Sequence, residues 1–415
     1  MALRESSICI INKINSKGLG ESFTEKGPIF LPFVMEGEKV EFERHNYRGK
    51  ESFVLKNIAA ASKDRSSPLC KFYQSCGGCL LQHFSEKTYI EYKSKILKEI
   101  IGEEVPVIFL DNHKRRRLNL VFKSTNQKLL LGFYRYKSNN IVNIDSCIAS
   151  EDKISNLIPS IRMLLEKICL DGDSGEIFIL SADNGIDVKI KLESKERFNE
   201  VNRRKLKSFF GTHGVIRVSY FHNKNEIVKI MEEVPYVNFG GENVQVEADS
   251  FLQATKESDR VISNLVLDYI GDSENKTIAD LFCGRGTLTI PLMKKGHKVL
   301  GYENDKNSLI ALSNASSGVD VELRDLHYNP LDVELTKFDI IVLNPPRSGA
   351  EQQVKNIVNR NCAEKLIYVS CSLKSFMRDY SILKTNYRIK NLVAIDQFKW
   401  NPHIEIIAQF EKITK

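Results

Sequence analysis

Three cysteines stand close together in Cys70-Lys-Phe-Tyr-Gln-Ser-Cys76-Gly-Gly-Cys79, a Cys-x5-Cys-x2-Cys run able to hold three thiolates around one inorganic centre. A fourth sulfur is needed, and Cys147 is the candidate, because the remaining cysteines are isolated or belong to a different motif. Four thiolates suit a 4Fe–4S cluster or zinc. Zinc sites more often pair two short Cys-x2-Cys knuckles, and only one is present, so the spacing favours iron–sulfur. Disulfides fit poorly, since nine cysteines leave one unpaired. No basic-then-apolar signal pattern opens the chain, and a reducing cytoplasm is the expected compartment.

A second set of chemical residues lies in the C-terminal part. The run Thr277-Ile-Ala-Asp-Leu-Phe-Cys-Gly-Arg-Gly-Thr287 reads as a buried strand, a turn with Gly284 and Gly286, and then a helix from about Leu288 to Lys295. Such a turn brings a ligand against backbone and a helix N-terminus. The next strand ends in Glu303, about twenty residues on, where a carboxylate can accept both ribose hydroxyls. The third glycine of the dinucleotide fingerprint is missing. The turn resembles the first motif of class I S-adenosylmethionine methyltransferases, in which Asp325 would lie near the adenine. Two later apolar runs deliver Asn344-Pro-Pro-Arg347 and Cys371 to the same sheet edge, where open α/β sheets bind ligands. Cys371 is thereby placed to attack a substrate, and a helix from about Lys374 is expected to lower its thiol pKa through the N-terminal dipole.

These motifs need several cores to carry them. The 415 residues, 42% hydrophobic and 27% charged, are ordinary for a soluble protein. No apolar run approaches the ~18 residues of a membrane span. The net charge of +7 is uneven: residues 1–150 hold 24 Lys and Arg against 16 Asp and Glu, and the remainder 36 against 37. The excess peaks in His113-Lys-Arg-Arg-Arg117 and continues through Lys123, Lys128, Arg135 and Lys137, interleaved with Phe122, Phe133, Tyr134 and Tyr136. Cations for phosphates and rings for splayed bases suit single-stranded or looped RNA. A solvated charged face is the competing reading of that patch taken alone.

Residues 1–60 alternate in short β-rich stretches broken by Gly18, Gly20, Gly27, Pro28, Pro32 and Gly37, the pattern of a small barrel. Within it, Gly18-Leu-Gly20, Phe30-Leu-Pro-Phe33 and Gly37-Glu-Lys-Val40 resemble the TRAM domain, an OB-like RNA-binding barrel. A central segment, 61–248, carries the cysteine loop, a helix from about Tyr89 to Ile101 and a mixed α+β stretch. From 249 to 415, short apolar strands alternate with helical patterns, which predicts a doubly wound α/β sheet.

Ser370-Cys-Ser-Leu-Lys-Ser-Phe-Met-Arg-Asp379 and His403-Ile-Glu405 complete a set that resembles the RNA uridine-5-methyltransferase family, in its 23S rRNA branch. The likeness covers nearly the whole chain. It takes in the barrel-like start, the cysteine loop followed by Gln82-His83, the Arg115-Arg-Arg117 strand, and Phe251-Leu-Gln253, which matches the family's Phe-x-Gln cofactor element. The resemblance implies S-adenosylmethionine-dependent methylation of carbon 5 of a uridine, with Cys371 adding to carbon 6 and Glu405 removing the carbon 5 proton. It places Gln253, Phe282, Gly284, Gly286, Thr287, Glu303, Asp325 and Asn344 around the cofactor. It assigns Cys70, Cys76, Cys79 and Cys147 to a 4Fe–4S cluster with a structural or RNA-positioning role; Arg115, Arg116 and Arg117, with Lys123 and Arg135 of the basic run, are the residues expected to meet RNA. The barrel and cluster favour 23S rRNA over tRNA as partner, and a cytoplasmic monomer is the default expectation.

Two positions depart from the family pattern. Asn344 stands where the family usually has Asp, keeping an acceptor oxygen while losing a charge and gaining a donor. Ser372-Leu373 stand where Asn-Pro is favoured. Three rival readings follow from particular residues. An amino-group methyltransferase is suggested by Asn344-Pro-Pro, but Arg347 occupies the place of its aromatic residue. A radical S-adenosylmethionine enzyme would space its first two cysteines by three residues. A catalytically silent RNA-binding or ribosome-assembly factor would accord with Asn344 and the N-terminal positive charge. Cys9, Cys169 and Cys362 are expected to be buried and inert, and Cys283 to pack beneath the cofactor turn. Trp400 is expected either to shape the base pocket or simply to pack.

Overall fold

The computed structural model describes residues 4–25, 27–47, 50–111, 113–126, 128–195, 198–273 and 275–413. The chain divides into two compact units, one made of Met1–Val105, Phe133–Val142 and Phe398–His403, the other of Pro106–Gly132, Asn143–Gln397 and Ile404–Lys415.

The first unit opens with two three-stranded antiparallel sheets. One has Lys39–Tyr47 between Arg4–Ile10 and Lys50–Ala60, and the other has Gly20–Thr24 between Lys13–Ile14 and Gly27–Leu31. Ile11, Ile29, Leu31, Val34, Val40 and Phe42 are buried here. Glu38 is fully buried among them, which only a well-donated carboxylate tolerates. Arg65 Nε and Nη2 donate to it at 2.6 and 2.7 Å, and the N–H groups of Met35 and Ser62 at 2.8 and 3.1 Å. Burial pushes its carboxyl up, but these hydrogen bonds and the Arg65 charge outweigh burial and hold the net value below the ordinary range.

A helix over Glu86–Ile101 follows, starting earlier than its apolar periodicity implied because Ser85 caps it by accepting the Thr88 N–H. Its buried face is Tyr89, Tyr92, Lys93, Ile96 and Leu97, the spacing of one helical stripe. Lys93 is buried yet satisfied: its Nζ donates to the carbonyls of Asn401 and His403 at 2.7 and 2.6 Å, tying the Phe398–His403 segment to this helix. Trp400 belongs to this segment, and its carbonyl accepts the N–H groups of Leu80 and Leu81 at 2.9 and 3.0 Å.

The second unit contains two large sheets. The first includes, in order, Lys128–Tyr134, Arg117–Thr125, Ser174–Ser181, Ile186–Glu193, Val215–His222 and Asn225–Met231. Leu118, Leu120, Phe122, Ile177, Ile179, Val188 and Ile190 alternate along the strands and are buried, and the helix Asp152–Ile168 packs against the sheet.

The second sheet carries the C-terminal motifs. Its order is Asp320–Leu323, Lys298–Glu303, Thr277–Leu281, Ile340–Leu343, Lys365–Ser370, Glu405–Lys412, Tyr387–Asp396 and Val107–Phe109. The first five strands are mutually parallel, and Glu405–Lys412 runs antiparallel to both of its neighbours. The strand order reverses direction at Thr277–Leu281, so a crevice opens at the carboxyl ends there, as the doubly wound reading requires. Ile262, Val266, Ile278, Leu292, Val342, Ile367, Val369, Ile395 and Ile407 form the core beneath this edge.

The foreseen elements differ at their ends for local reasons. The apolar run that delivers Asn344 is strand over Ile340–Leu343, and just before it Asp339 accepts the Thr277 N–H and hydroxyl, both at 2.8 Å. The helix after the glycine turn spans Thr289–Lys294. Cys9, Cys169 and Cys362 are half-buried rather than buried, whereas Cys283 is buried as expected.

Candidate active site

Strand direction brings the candidate residues Cys371 and Glu405 together. Lys365–Ser370 ends at the carboxyl edge just where the antiparallel Glu405–Lys412 begins, with Ser370 opposite Ile406. The next residue outward on each strand is Cys371 on one and Glu405 on the other. Arg347 follows the two prolines that leave Ile340–Leu343, and its charge acts on both the Cys371 thiol and Glu405.

Burial raises the Cys371 thiol above its ordinary value, the neighbouring Glu405 charge adds to the rise, and Arg347 opposes it. The expected lowering by a helix dipole is therefore overturned. The helix Leu373–Leu383 does begin beside the thiol, with Ser372 as its cap, but desolvation wins. Glu405 is 2% exposed, and burial pushes its carboxyl up to about 8 despite a hydrogen bond from Gln397 and the charge of Arg347. Burial thus favours the protonated form of both groups.

Gln397 joins this pair to the Phe251-Leu-Gln253 element. Its Nε2 donates to Glu405 Oε2 at 2.8 Å and to Gln253 Oε1 at 2.9 Å, and its Oε1 accepts the Ala254 N–H at 3.2 Å.

The glycine turn lies along the same edge. Phe282 has φ +63°, a left-handed conformation that is strained for an aromatic residue, and its ring lies 5.4 Å from that of His327. Gly286 has φ +90°, and a Cβ there would meet Leu312 Cδ1 at 2.4 Å, so only glycine fits. Glu303 accepts the Gly284 N–H at 3.1 Å and those of Asn304 and Asp305 at 2.8 and 2.9 Å, which fixes its carboxylate against the turn. Asp325 accepts the His327 N–H at 3.0 Å. Thr287 and the side chain of Asn344 are half-buried, and the Asn344 N–H donates to the Leu281 carbonyl at 3.2 Å. Beneath them Asp280 is fully buried with the Thr289 hydroxyl 2.6 Å away, and burial pushes its carboxyl up to about 7.

The basic stretch separates into different environments. Lys123 and Arg135 are exposed, and Arg115 is half-buried. Arg116 is 2% exposed, bonded to Asp259 and to the Gln253 carbonyl, so it supports the site from within and is not available to an RNA phosphate in this arrangement. Arg117 bonds the Ser250 carbonyl and lies 5.9 Å from the ring of Phe251, which is 72% exposed.

Cys70, Cys76 and Cys79 are half-buried within the first unit, and Cys147 is half-buried in the second. The Gly78 N–H points at Cys76 Sγ at 3.4 Å, Gln82 Oε1 accepts the Cys70 N–H at 3.1 Å, and Ser155 Oγ accepts the Cys147 N–H at 2.9 Å. Gly77 is tight against Tyr134 and Tyr136, where a Cβ would meet backbone at 3.0 to 3.2 Å. Among the described residues, no group of three or more His, Cys, Asp or Glu is close enough to hold a metal ion.

Comparison with known proteins adds to this geometry. The family model described as tRNA (Uracil-5-)-methyltransferase matches residues 85–413. The chain belongs to this family. It is accordingly an S-adenosylmethionine-dependent RNA (uracil-5-)-methyltransferase. An uncharacterized RNA methyltransferase of Agrobacterium fabrum is 32% identical over 423 residues, covering 97% of this chain and 98% of its own length. The 23S rRNA (uracil(1939)-C(5))-methyltransferase RlmD of Shewanella piezotolerans is 27% identical, covering 97% and 94%. The crystal structure of Pyrococcus abyssi tRNA (uracil-54, C5)-methyltransferase in complex with S-adenosyl-L-homocysteine aligns with a TM-score of 0.75 at 22% identity, covering 97% of this chain and 100% of that one, a likeness of fold.

Sequence reasoning singled out the residues at strand ends but passed over Arg347 as a participant, along with Gln397 and His327. Arg347 had a signal, since it closes the Asn-Pro-Pro-Arg loop. Gln397 and His327 lie in runs without periodicity or motif, and only packing reveals their neighbours.

Proposed function

We propose that the protein methylates carbon 5 of a uridine in 23S rRNA, with Cys371 as nucleophile and Glu405 as base. The observation that carries this reading is the convergence of Cys371, Glu405 and Arg347 at the carboxyl edge of the methyltransferase sheet. Carbon 5 of uracil is a poor nucleophile and needs activation. The Cys371 sulfur adds to carbon 6, and the electron pair moves to give an enolate. Carbon 5 then takes the methyl group of the sulfonium, leaving S-adenosylhomocysteine. Glu405 removes the carbon 5 proton, and elimination breaks the sulfur–carbon bond and frees the thiolate, so the cycle is redox-neutral. Arg347 favours the thiolate before attack. The base must leave its stack to reach both groups.

In this reading Gln253, Phe282, Gly284, Gly286, Thr287, Glu303, Asp325 and Asn344 face the cofactor. The exposed Lys123 and Arg135, with Arg115 and Arg117, meet RNA. Three functional segments serve the reaction: a TRAM-like barrel over 1–60, a central segment over 61–248 and the methyltransferase segment over 249–415. The protein works as a cytoplasmic monomer.

We also propose a 4Fe–4S cluster on Cys70, Cys76, Cys79 and Cys147. What supports it is the donor chemistry: four cysteines, three of them within ten residues of one loop, and an amide N–H directed at the Cys76 sulfur, which favours a thiolate. A cluster would supply no electrons to the methylation, which is redox-neutral. Anaerobic reconstitution should give about four irons and four sulfides per chain, and loss of binding in Cys76→Ser is the matching control.

The test of function incubates the protein with S-adenosylmethionine and separated 23S rRNA and tRNA carrying tritium at uracil carbon 5. Release from 23S rRNA that is lost in Cys371→Ala is the expected result. Release from tRNA alone keeps the chemistry and changes the substrate. No release from either RNA, with cofactor bound, sinks the carbon 5 reading.

A further inference from the structure

Gln397 is fully buried where the Phe251-Leu-Gln253 element meets the edge that carries Cys371 and Glu405. A primary amide has two N–H donors, and Gln397 uses them on two different side chains, Glu405 Oε2 at 2.8 Å and Gln253 Oε1 at 2.9 Å. Its carbonyl oxygen accepts the Ala254 N–H at 3.2 Å, which fixes the orientation of the amide. Turning the amide over would set its oxygen against the Glu405 carboxylate and its nitrogen against a backbone donor. The Gln253 backbone is held independently, since Arg116 Nε donates to its carbonyl at 3.3 Å. The side chain of Gln253 is then the adjustable part, and Gln397 is what sets it.

We infer that Gln397 is a positioning residue that registers Gln253 and Glu405 to each other, so that one amide aligns the cofactor side of the site with the proton-abstracting carboxylate. This rests on the roles proposed above for those two residues. Gln397 touches neither reacting carbon and acts only through its two partners. Besides Gln397, Glu405 is faced by Arg347 and Cys371 and is flanked by the buried Asp396 on the Tyr387–Asp396 strand, where Ile395 pairs with Glu405. Of these groups, Arg347 and Gln397 favour the ionised carboxylate, and Gln397 does so without bringing a charge.

The experiment uses Gln397→Met, which keeps volume and removes both donors, and Gln397→Asn, which keeps the amide but is too short for both partners. Each variant is first checked by thermal melting. The affinity for S-adenosylhomocysteine is read by calorimetry, and tritium release from RNA is followed against pH. Losing one neutral hydrogen bond at Gln253 should weaken S-adenosylhomocysteine binding about fivefold. Losing a donor to the Glu405 carboxylate should move the acid limb of kcat upward by about one pH unit. KM for RNA should not change. A merely structural role would lower the melting temperature and leave the limb in place. Either folded variant with wild-type affinity and a wild-type acid limb overturns the inference. Absence of tritium release by the wild-type protein on both RNAs defeats the carbon 5 reading instead, and the affinity arm still decides whether Gln397 sets Gln253.

Discussion

Cys371 and Glu405 meet because their strands run in opposite directions, with Ser370 opposite Ile406 in register. A parallel strand at that place in the sheet would carry its first residue to the far edge. Removing the proposed nucleophile should therefore abolish turnover: Cys371→Ala is expected to lose roughly 10⁴-fold or more in tritium release. Glu405→Gln should still form the thioether and accept the methyl group but fail to eliminate, so an RNA–protein adduct stable to SDS should accumulate on a gel. Release by Glu405→Gln at the wild-type rate would remove Glu405 from the mechanism.

The pH dependence follows from burial of the same carboxyl. Burial lifts Glu405 to about 8, and a base must be ionised to act, so kcat should rise with pH through that region and fall about tenfold per unit well below it. The effect on stability has a definite sign. The folded carboxyl titrates near 8 against an ordinary 4.5, so the native state holds an extra proton between those values and loses stability as pH rises through them. Glu405→Gln should thus be more stable than wild type at pH 9, by roughly 2–4 kcal/mol, with little difference at pH 4, as measured by denaturant melts.

Arg347 opposes the effect of burial on both Cys371 and Glu405. Arg347→Ala should push the Cys371 thiol further up. Alkylation by iodoacetamide at pH 8 should slow, and turnover should fall on the order of 10²-fold through loss of the thiolate. An unchanged alkylation profile would mean that the guanidinium does not act on the sulfur.

Glu38 and Arg65 form the buried ion pair of the first unit. Glu38→Gln leaves Arg65 without its charge partner and should cost about 3–5 kcal/mol in a denaturant melt. The folded carboxyl titrates below its ordinary 4.5, so its contribution is present above that value and is lost as pH falls through the lower folded one. The difference between wild type and variant should shrink in acid.

Asn344 tests how much charge the site needs. Its side chain is half-buried at the end of the Ile340–Leu343 strand, and Asn344→Asp restores the residue usual in the family. The variant should remain active with altered cofactor affinity or turnover. Identical values for both would show the position to be uninformative.

The sheet was legible because its strands are short, continuous apolar runs ended by glycine, proline or polar residues, as at Leu343 before Asn344-Pro-Pro. Residues just beyond such runs fall at one edge of a parallel sheet whatever the rest of the chain does, which is why Glu303, Asn344 and Cys371 could be named. The basic run was legible only as charge. Burial of Arg116 against Asp259 depends on a helix distant in sequence, and no local pattern records it.

The sequence alone determined the order of strands and turns and which chemical groups end them, because periodicity and chain-breaking residues act locally. Tertiary structure decided the rest. The antiparallel register set Glu405 beside Cys371, burial raised both groups above their ordinary values, and packing placed Gln397 between Gln253 and Glu405. Register across a sheet and the dielectric around a side chain arise from residues far apart in the chain, and neither is written in the spacing of any one segment.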